Sequence, residues 1–223
     1  MKFLRTPVIL DQRPRFPDPR LAEGEGLVAI GGDLSTPRLL LAYRSGIFPW
    51  TVDPLTWWSP DPRAIFELEK IHVPRSLAKF MRKRPFEVTR DRAFRQVMQG
   101  CATPGPGREE TWVTPEFIEA YTRLHKQGHA HSVECWREGE LVGGIYGVSL
   151  GGFFAGESMF HRTTNASKVA LHHLVGHLRA HGFALFDIQM ITPATRQLGA
   201  VEIPRDEYLK RLAAAIPIEC NFR

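Results

Sequence analysis

Glu157, Asp187 and Gln189 set acidic and amide side chains among apolar neighbours, a pattern more like a site than a packing accident. All three fall in residues 151–189, GGFFAGESMFHRTTNASKVALHHLVGHLRAHGFALFDIQ. A carboxylate can hold an ammonium group or exchange a proton, and an amide can orient one. The segment reads as strand, helix, strand, and such a unit pairs its strands in parallel with a right-handed crossover. Parallel strands are buried on both faces, so polar groups there cost free energy unless partnered. Asp187 and Gln189 alternate and share one face of their strand. If that face is a cleft, Asp187 can hydrogen-bond Gln189 and polarise it. An edge strand with two wet polar residues fits equally, and Glu157 could pair with Arg162 or Lys168. On the residues alone both readings stand.

Other groups could also do chemistry. His173, His177 and His181 repeat every four residues, a spacing used by zinc-binding helices. Leu171, Leu174, Val175 and Leu178 form the apolar stripe, so the histidines are expected on the opposite, solvated face, with no metal site. Residues 75–95 hold eight basic residues against Glu87 and Asp91, an excess of six in a chain whose net charge is +5. Such a run is either a solvated face or a surface for phosphates. Trp57 and Trp58 read as at least half core. Trp50 and Trp112 sit in predicted loops, where aromatics can stack bases or line an apolar pocket.

The elements that must position these groups follow from the pattern. Residues 1–63 are rich in Pro, Gly and Trp and read as a small, largely irregular N-terminal domain. Its one helix starts near Pro37 and stops at Gly46. Residues 64–223 read as a larger α/β domain. IFELEKIHV looks like a strand, Pro74 opens a helix through Arg84, FEVTR is a short strand, and a helix over 91–99 should end at Gly100. CATPGPGREETW is a loop, and Thr114-Pro115-Glu116 starts the next helix, which runs to Gly128. HSVECW, LVGGIYGVSL and FFAGESMF form an antiparallel meander with turns at Glu138-Gly139 and Gly151-Gly152. A helix over 166–180, the strand ALFDIQ and a last helix in IPRDEYLKRLAAA complete the chain.

Bulk properties set the class. Hydrophobic residues at 43% can bury a core, and charged residues at 24% are ordinary for a soluble globule. The pI near 9.3 permits a polyanionic partner. Cys101, Cys135 and Cys220 show no metal or redox spacing, which fits a reducing cytoplasm. The start, MKFLRTPVILDQRPRFPDP, has too short an apolar run for a signal peptide. The charge-free stretch 143–156 holds six glycines and is too short to span a bilayer.

The meander passing into a parallel pair resembles the acetyltransferase-like (GNAT) α/β fold, in which two strands splay to open a cleft. FPDPRLAEGEGLVAIGGDLSTPRLLLAYRSGIFPW, WWSPDPR, FEVTRDRAFRQVMQGCA, TWVTPEFIEAYTRLHKQGHAHSVE, GGIYGVSLGGFFAGESMF, NASK, FDIQ and LGAVEIPR resemble the bacterial leucyl/phenylalanyl-tRNA–protein transferases over nearly the whole chain. That resemblance implies a small N-terminal domain plus a GNAT-like catalytic domain. It implies transfer of Leu or Phe, and less well Met, from aminoacyl-tRNA to proteins beginning with Arg or Lys, marking them for N-degron degradation. It further implies no cofactor, with Leu-tRNA and Phe-tRNA as co-substrates, and a cytoplasmic monomer.

Residue roles follow from the same resemblance. Glu157 would bind the donor's α-ammonium group, and Asp187 would polarise Gln189, which holds the attacking amine. Ile145 and Phe154, with Leu174, would line the donor side-chain pocket. Tyr43, Trp50 and Trp112 would hold the terminal adenosine or the aminoacyl group. Arg75, Lys79, Arg82, Lys83 and Arg84 would hold tRNA phosphates. Members of that family often carry a His and a Ser between the FDIQ strand and LGA. Here that segment reads MITPATRQLGA, with Ala194 and Gln197, and it receives no role. An N-acetyltransferase would need a Q/R-x-x-G-x-G/A loop opening a helix, and none is found. An RNA-binding module would have no use for the three polar residues.

Overall fold

A computed structural model describes residues 7–22, 24–105 and 110–223. The foreseen loop over 101–112 and the N-terminal stretch lie partly outside these. The N-terminal region is more regular than expected. It holds β1 (Val8–Leu10), β2 (Leu27–Gly31), α1 (Thr36–Arg44), β3 (Phe48–Val52) and β4 (Leu55–Trp58). The strands form one sheet in the order β1-β2-β4-β3. Its prolines hid it: two sit at a helix start and within an edge strand, where a missing N–H does no harm. Trp50 therefore lies on β3 and not in a loop.

A second sheet follows. Its elements are β5 (Arg63–Phe66), α2 (Arg75–Arg82), β6 (Glu87–Arg90), α3 (Phe94–Ala102), α4 (Pro115–Lys126), β7 (Ala130–Arg137), β8 (Glu140–Leu150) and β9 (Phe153–His161). They continue with α5 (Ala166–Ala180), β10 (Leu185–Gln189), α6 (Pro193–Gln197), β11 (Ala200–Ile203) and α7 (Arg205–Ala215). Seven strands run in the order β11-β5-β10-β9-β8-β7-β6. β9 and β10 are parallel and every other pair is antiparallel. The meander, both hairpin turns and the helix between the parallel strands lie where the pattern predicts. The strand expected over 65–73 stops at Phe66, because the chain turns through a 3-10 turn at Leu68–Lys70 that buries Leu68. α3 continues through Gly100, where an added Cβ would come within 2.6 Å of the Phe160 ring, so only glycine leaves that ring its place. α6 and β11 have no counterpart in the sequence reading.

Two cores cover the sheet. On one face Val169, Leu171, Leu174, Val175 and Leu178 of α5 pack on Val133, Ile145, Phe154 and Phe186. On the other, α3, α4 and α7 share one cluster with Tyr43, Phe48 and Trp57 of the N-terminal sheet. Trp57 is fully buried and Trp58 half-buried. Among the described residues no helix is long and apolar enough to cross a membrane.

Candidate active site

The site forms where β9 and β10 part. Their pairing ends at Asp187 opposite Ala155, while both strands continue. Each carries an irregularity at that level. Between Gly156 and Ser158, β9 advances two residues against one step of β8, so Glu157 is the extra residue of a bulge. Between Asp187 and Gln189, β10 advances two against one step of β5, and Gln189 takes a left-handed φ of 57°. Bulges re-aim side chains and strengthen local twist. Here they turn Glu157 and Gln189 toward each other across the gap. Gln189 Nε2 donates to Glu157 Oε1 at 3.1 Å.

Asp187 is engaged elsewhere. Its Oδ1 accepts from Arg63 Nε and from the Gln189 backbone N–H, both at 2.9 Å. Its Oδ2 accepts from Arg63 Nη2 at 2.7 Å and Tyr208 Oη at 2.9 Å. Four donors fill the carboxylate. It therefore does not reach the Gln189 side chain, contrary to the expected polarising contact. It fixes the bulge backbone from which Gln189 projects. Arg63 is fully buried; it also donates to the Gly46 carbonyl at 3.1 Å and stacks over Phe48 and Tyr208. Gly46, at φ 75°, ends α1 and supplies that carbonyl.

Glu157 faces two tyrosines rather than Arg162 or Lys168. Tyr121 Oη donates to its Oε2 at 3.4 Å, and the Tyr43 and Tyr121 hydroxyls bond to each other. Burial pushes the Glu157 carboxyl up to about 8; the Tyr43 hydrogen bond opposes this, Asp187 adds to it, and Arg63 and Tyr121 oppose it. Burial, then the nearby Glu157, also raises both tyrosine hydroxyls well above their ordinary range.

Glu157 separates two pockets of about 220 Å³ each. One is apolar, walled by Phe66, Ile145, Met159, Leu171, Phe186 and Ile188. The other is aromatic, with Phe48, Trp50 and Trp112 beside Glu157 and Gln189. Of the predicted residues, Ile145, Trp50 and Trp112 lie on these walls. Phe154 and Leu174 do not: each is at most 1% exposed, and Phe154 packs on Phe183, Phe186 and Phe222 behind the wall. Tyr43 likewise lines neither pocket and meets the site through hydrogen bonds. Leu171, one helical turn from Leu174, takes the wall position, a distinction that helical spacing does not make.

Arg75, Lys79, Arg82, Lys83 and Arg84 are all exposed on or just after α2, and none joins an ion pair among the described residues. Further along the basic run Arg92 pairs with Glu87 and Arg95 with Glu119, so the free positive charge concentrates at α2. The histidine face of α5 is only partly wet. His172, His173 and His181 are exposed, but His177 is buried and bonds the Phe222 carbonyl at 2.7 Å. Asp91, His125 and His131 bring ligand-type atoms within 4.8 Å of one another. His131 spends Nδ1 on Asp91 at 2.7 Å and Nε2 on the Gly128 carbonyl at 3.2 Å, while His125 bonds the Ala130 carbonyl. These contacts tie the turn after β6 to β7 and leave both His131 nitrogens occupied.

Sequence reasoning missed Arg63, Tyr121 and Tyr208. Arg63 closes the WWSPDPR string next to a Pro-rich turn, a signal for a structural role; the tyrosines sit on ordinary amphipathic helices and give none.

Known proteins resemble this chain over most of its length. Residues 65–213 match the family described as leucyl/phenylalanyl-tRNA protein transferase, and residues 32–61 match its N-terminal domain. A transferase of that name from Syntrophobacter fumaroxidans is 53% identical over 205 residues, covering 91% of this chain and 88% of that one. One from Escherichia coli O1:K1 is 53% identical, covering 88% and 85%. One from Nitratidesulfovibrio vulgaris is 52% identical, covering 92% and 89%. Similar solved structures include a ribosomal-protein-alanine N-acetyltransferase from Brucella melitensis (15% identity, TM-score 0.35, 51% of this chain and 86% of that one). Another is L-PGS from Bacillus licheniformis (15%, TM-score 0.42, 69% and 50%).

Proposed function

The chain belongs to the leucyl/phenylalanyl-tRNA–protein transferase family, and from that premise we propose that it moves Leu and Phe, and less well Met, from aminoacyl-tRNA to proteins beginning with Arg or Lys. The products enter N-degron degradation in the cytoplasm, and the enzyme acts as a monomer. The observation that carries this reading is the carboxylate of Glu157 standing between an apolar pocket and an aromatic one. An aminoacyl-adenosine end has that same division: an apolar side chain, a reactive ester beside an amine, and a base.

The donor side chain enters the pocket of Phe66, Ile145 and Leu171. One methylene in such a pocket is worth about 1–3 kcal/mol, so Met is tolerated. The terminal adenosine lies against Trp50 and Trp112, where stacking contributes about 1–3 kcal/mol per base. Glu157 holds the donor's α-amine and so rejects blocked amino acids. The carboxamide oxygen of Gln189 is left to hold the attacking amine, since its nitrogen is spent on Glu157. Amide formation from an ester is downhill, so the reaction needs no cofactor; the site mainly aligns amine and ester. The charges at α2 hold tRNA phosphates without reading sequence.

Incubation with labelled Leu-tRNA or Phe-tRNA and peptides beginning with Arg, Lys, Asp or Ala tests the reading. Label in the Arg and Lys peptides alone is expected. Label in none, or equally in all four, contradicts it.

A further inference from the structure

We propose that Glu157 takes the proton released by the attacking amine and returns it to the leaving oxygen, and that Tyr43 and Tyr121 hold it for this task. The proposal rests on the transfer reaction above and adds a proton path to it.

Position singles out this residue. Four residues wall both pockets: Glu157, Ile188, Met190 and Thr192. The ester carbon joins the group in one pocket to the group in the other, so it must pass these four. Glu157 alone among them can exchange a proton near neutral pH. Asp187 is filled by four donors, and an amide oxygen such as that of Gln189 is barely basic. No histidine lines either pocket.

The two carboxylate oxygens face different ways. Oε2 turns to Tyr121, and Oε1 to the Gln189 amide. An amine held by the Gln189 carbonyl oxygen therefore lies beside Oε1. The neutral amine attacks the ester carbon: the C–N bond forms, the carbonyl electron pair moves onto oxygen, and the N–H proton passes to Oε1. Collapse restores the C=O bond and breaks the bond to the ribose oxygen. That oxygen takes the proton from Glu157, leaving an amide, a free tRNA hydroxyl and the carboxylate.

The surroundings suit the task. Tyr43 from α1, Tyr121 from α4, Arg63 from β5 and Asp187 from β10 face the carboxyl. Burial raises its pKa to about 8, with Asp187 adding and Tyr43, Arg63 and Tyr121 opposing, and that value is close to the ~7.7–8.0 of a protein α-amine. A base matched in this way to its operating pH contributes typically about 10²–10⁴-fold. Tyr43 and Tyr121 are positioning residues, since their hydroxyls stabilise the charged form.

The test is the pH dependence of kcat/KM with both substrates dilute, which reports the free enzyme and free substrates. Below about pH 7 two protons must leave, one from the acceptor amine and one from Glu157. The logarithm of the wild-type rate should therefore rise with slope two, and that of Glu157→Gln with slope one, at a rate lower by about 10² or more. Tyr43→Phe removes a contact that favours the carboxylate, so its profile should shift to higher pH. Slope one in the wild type, an unchanged slope in Glu157→Gln, or an unmoved Tyr43→Phe profile overturns the proposal while leaving the transfer reading intact. A wild type that transfers nothing at any pH sinks the transfer reading itself.

Discussion

Asp187 and Glu157 are two carboxyls with opposite surroundings, and their replacements should differ. Asp187 neutralises the buried Arg63, so Asp187→Asn strands a buried guanidinium. Breaking one partner of such a pair costs about 3–5 kcal/mol. Urea unfolding should show that loss at any pH near neutrality; a cost below about 1 kcal/mol would mean the pair does not organise the site. Glu157 carries a pH signature instead. Its folded value of about 8 lies above the ordinary 4.5, so folding favours the protonated form. That contribution is complete below 4.5 and is lost as pH rises through 8. Each pH unit of full shift corresponds to about 1.4 kcal/mol, and partial exposure reduces the total to about 2–4 kcal/mol. Wild type should therefore lose stability between pH 5 and pH 9 relative to Glu157→Gln, as read by denaturant midpoints at both ends. Parallel curves would contradict the raised value.

At the scale of elements, α2 should act as a plain electrostatic handle. Its five exposed cations have no ion-pair partners among the described residues, unlike Arg92 and Arg95. Lys83→Ala with Arg84→Ala should weaken tRNA binding and reduce its salt slope by about one per lost phosphate contact. An unchanged slope would make α2 a solvated face. The meander, the helix α5 and the parallel β10 were legible, because alternation, Gly turns and an apolar stripe are local signals. The bulges at Glu157 and Ile188 were not. A bulge is decided by the partner strand, and a period-two reading of Asp187 and Gln189 assumes there is none. That assumption is why Asp187 was expected on the Gln189 side chain and is found on Arg63, 124 residues away in sequence. The N-terminal sheet was hidden for a related reason: its short strands are punctuated by prolines, and their pairing is non-local.

At the scale of the whole molecule, the small sheet completes the site of the large one. Tyr43 comes from α1 and Trp50 from β3, whereas Tyr121, Glu157 and Gln189 belong to the larger part. One hydrophobic cluster runs through both, so their relative position is set by packing. Family membership was legible from long strings spread over the chain. The three polar residues were legible as a group, but which partner each takes depends on Arg63, Tyr43 and Tyr121, all distant in sequence. The central claim is that the two pockets divide an aminoacyl-adenosine end at Glu157. A crystal structure with 3′-phenylalanylamido-adenosine, whose amide resists transfer, tests it most directly. The phenyl ring should lie among Phe66, Ile145 and Leu171, the adenine against Trp50 and Trp112, and the amide beside Glu157. An analogue bound with its ring outside the apolar pocket, or away from Glu157 altogether, would contradict the account.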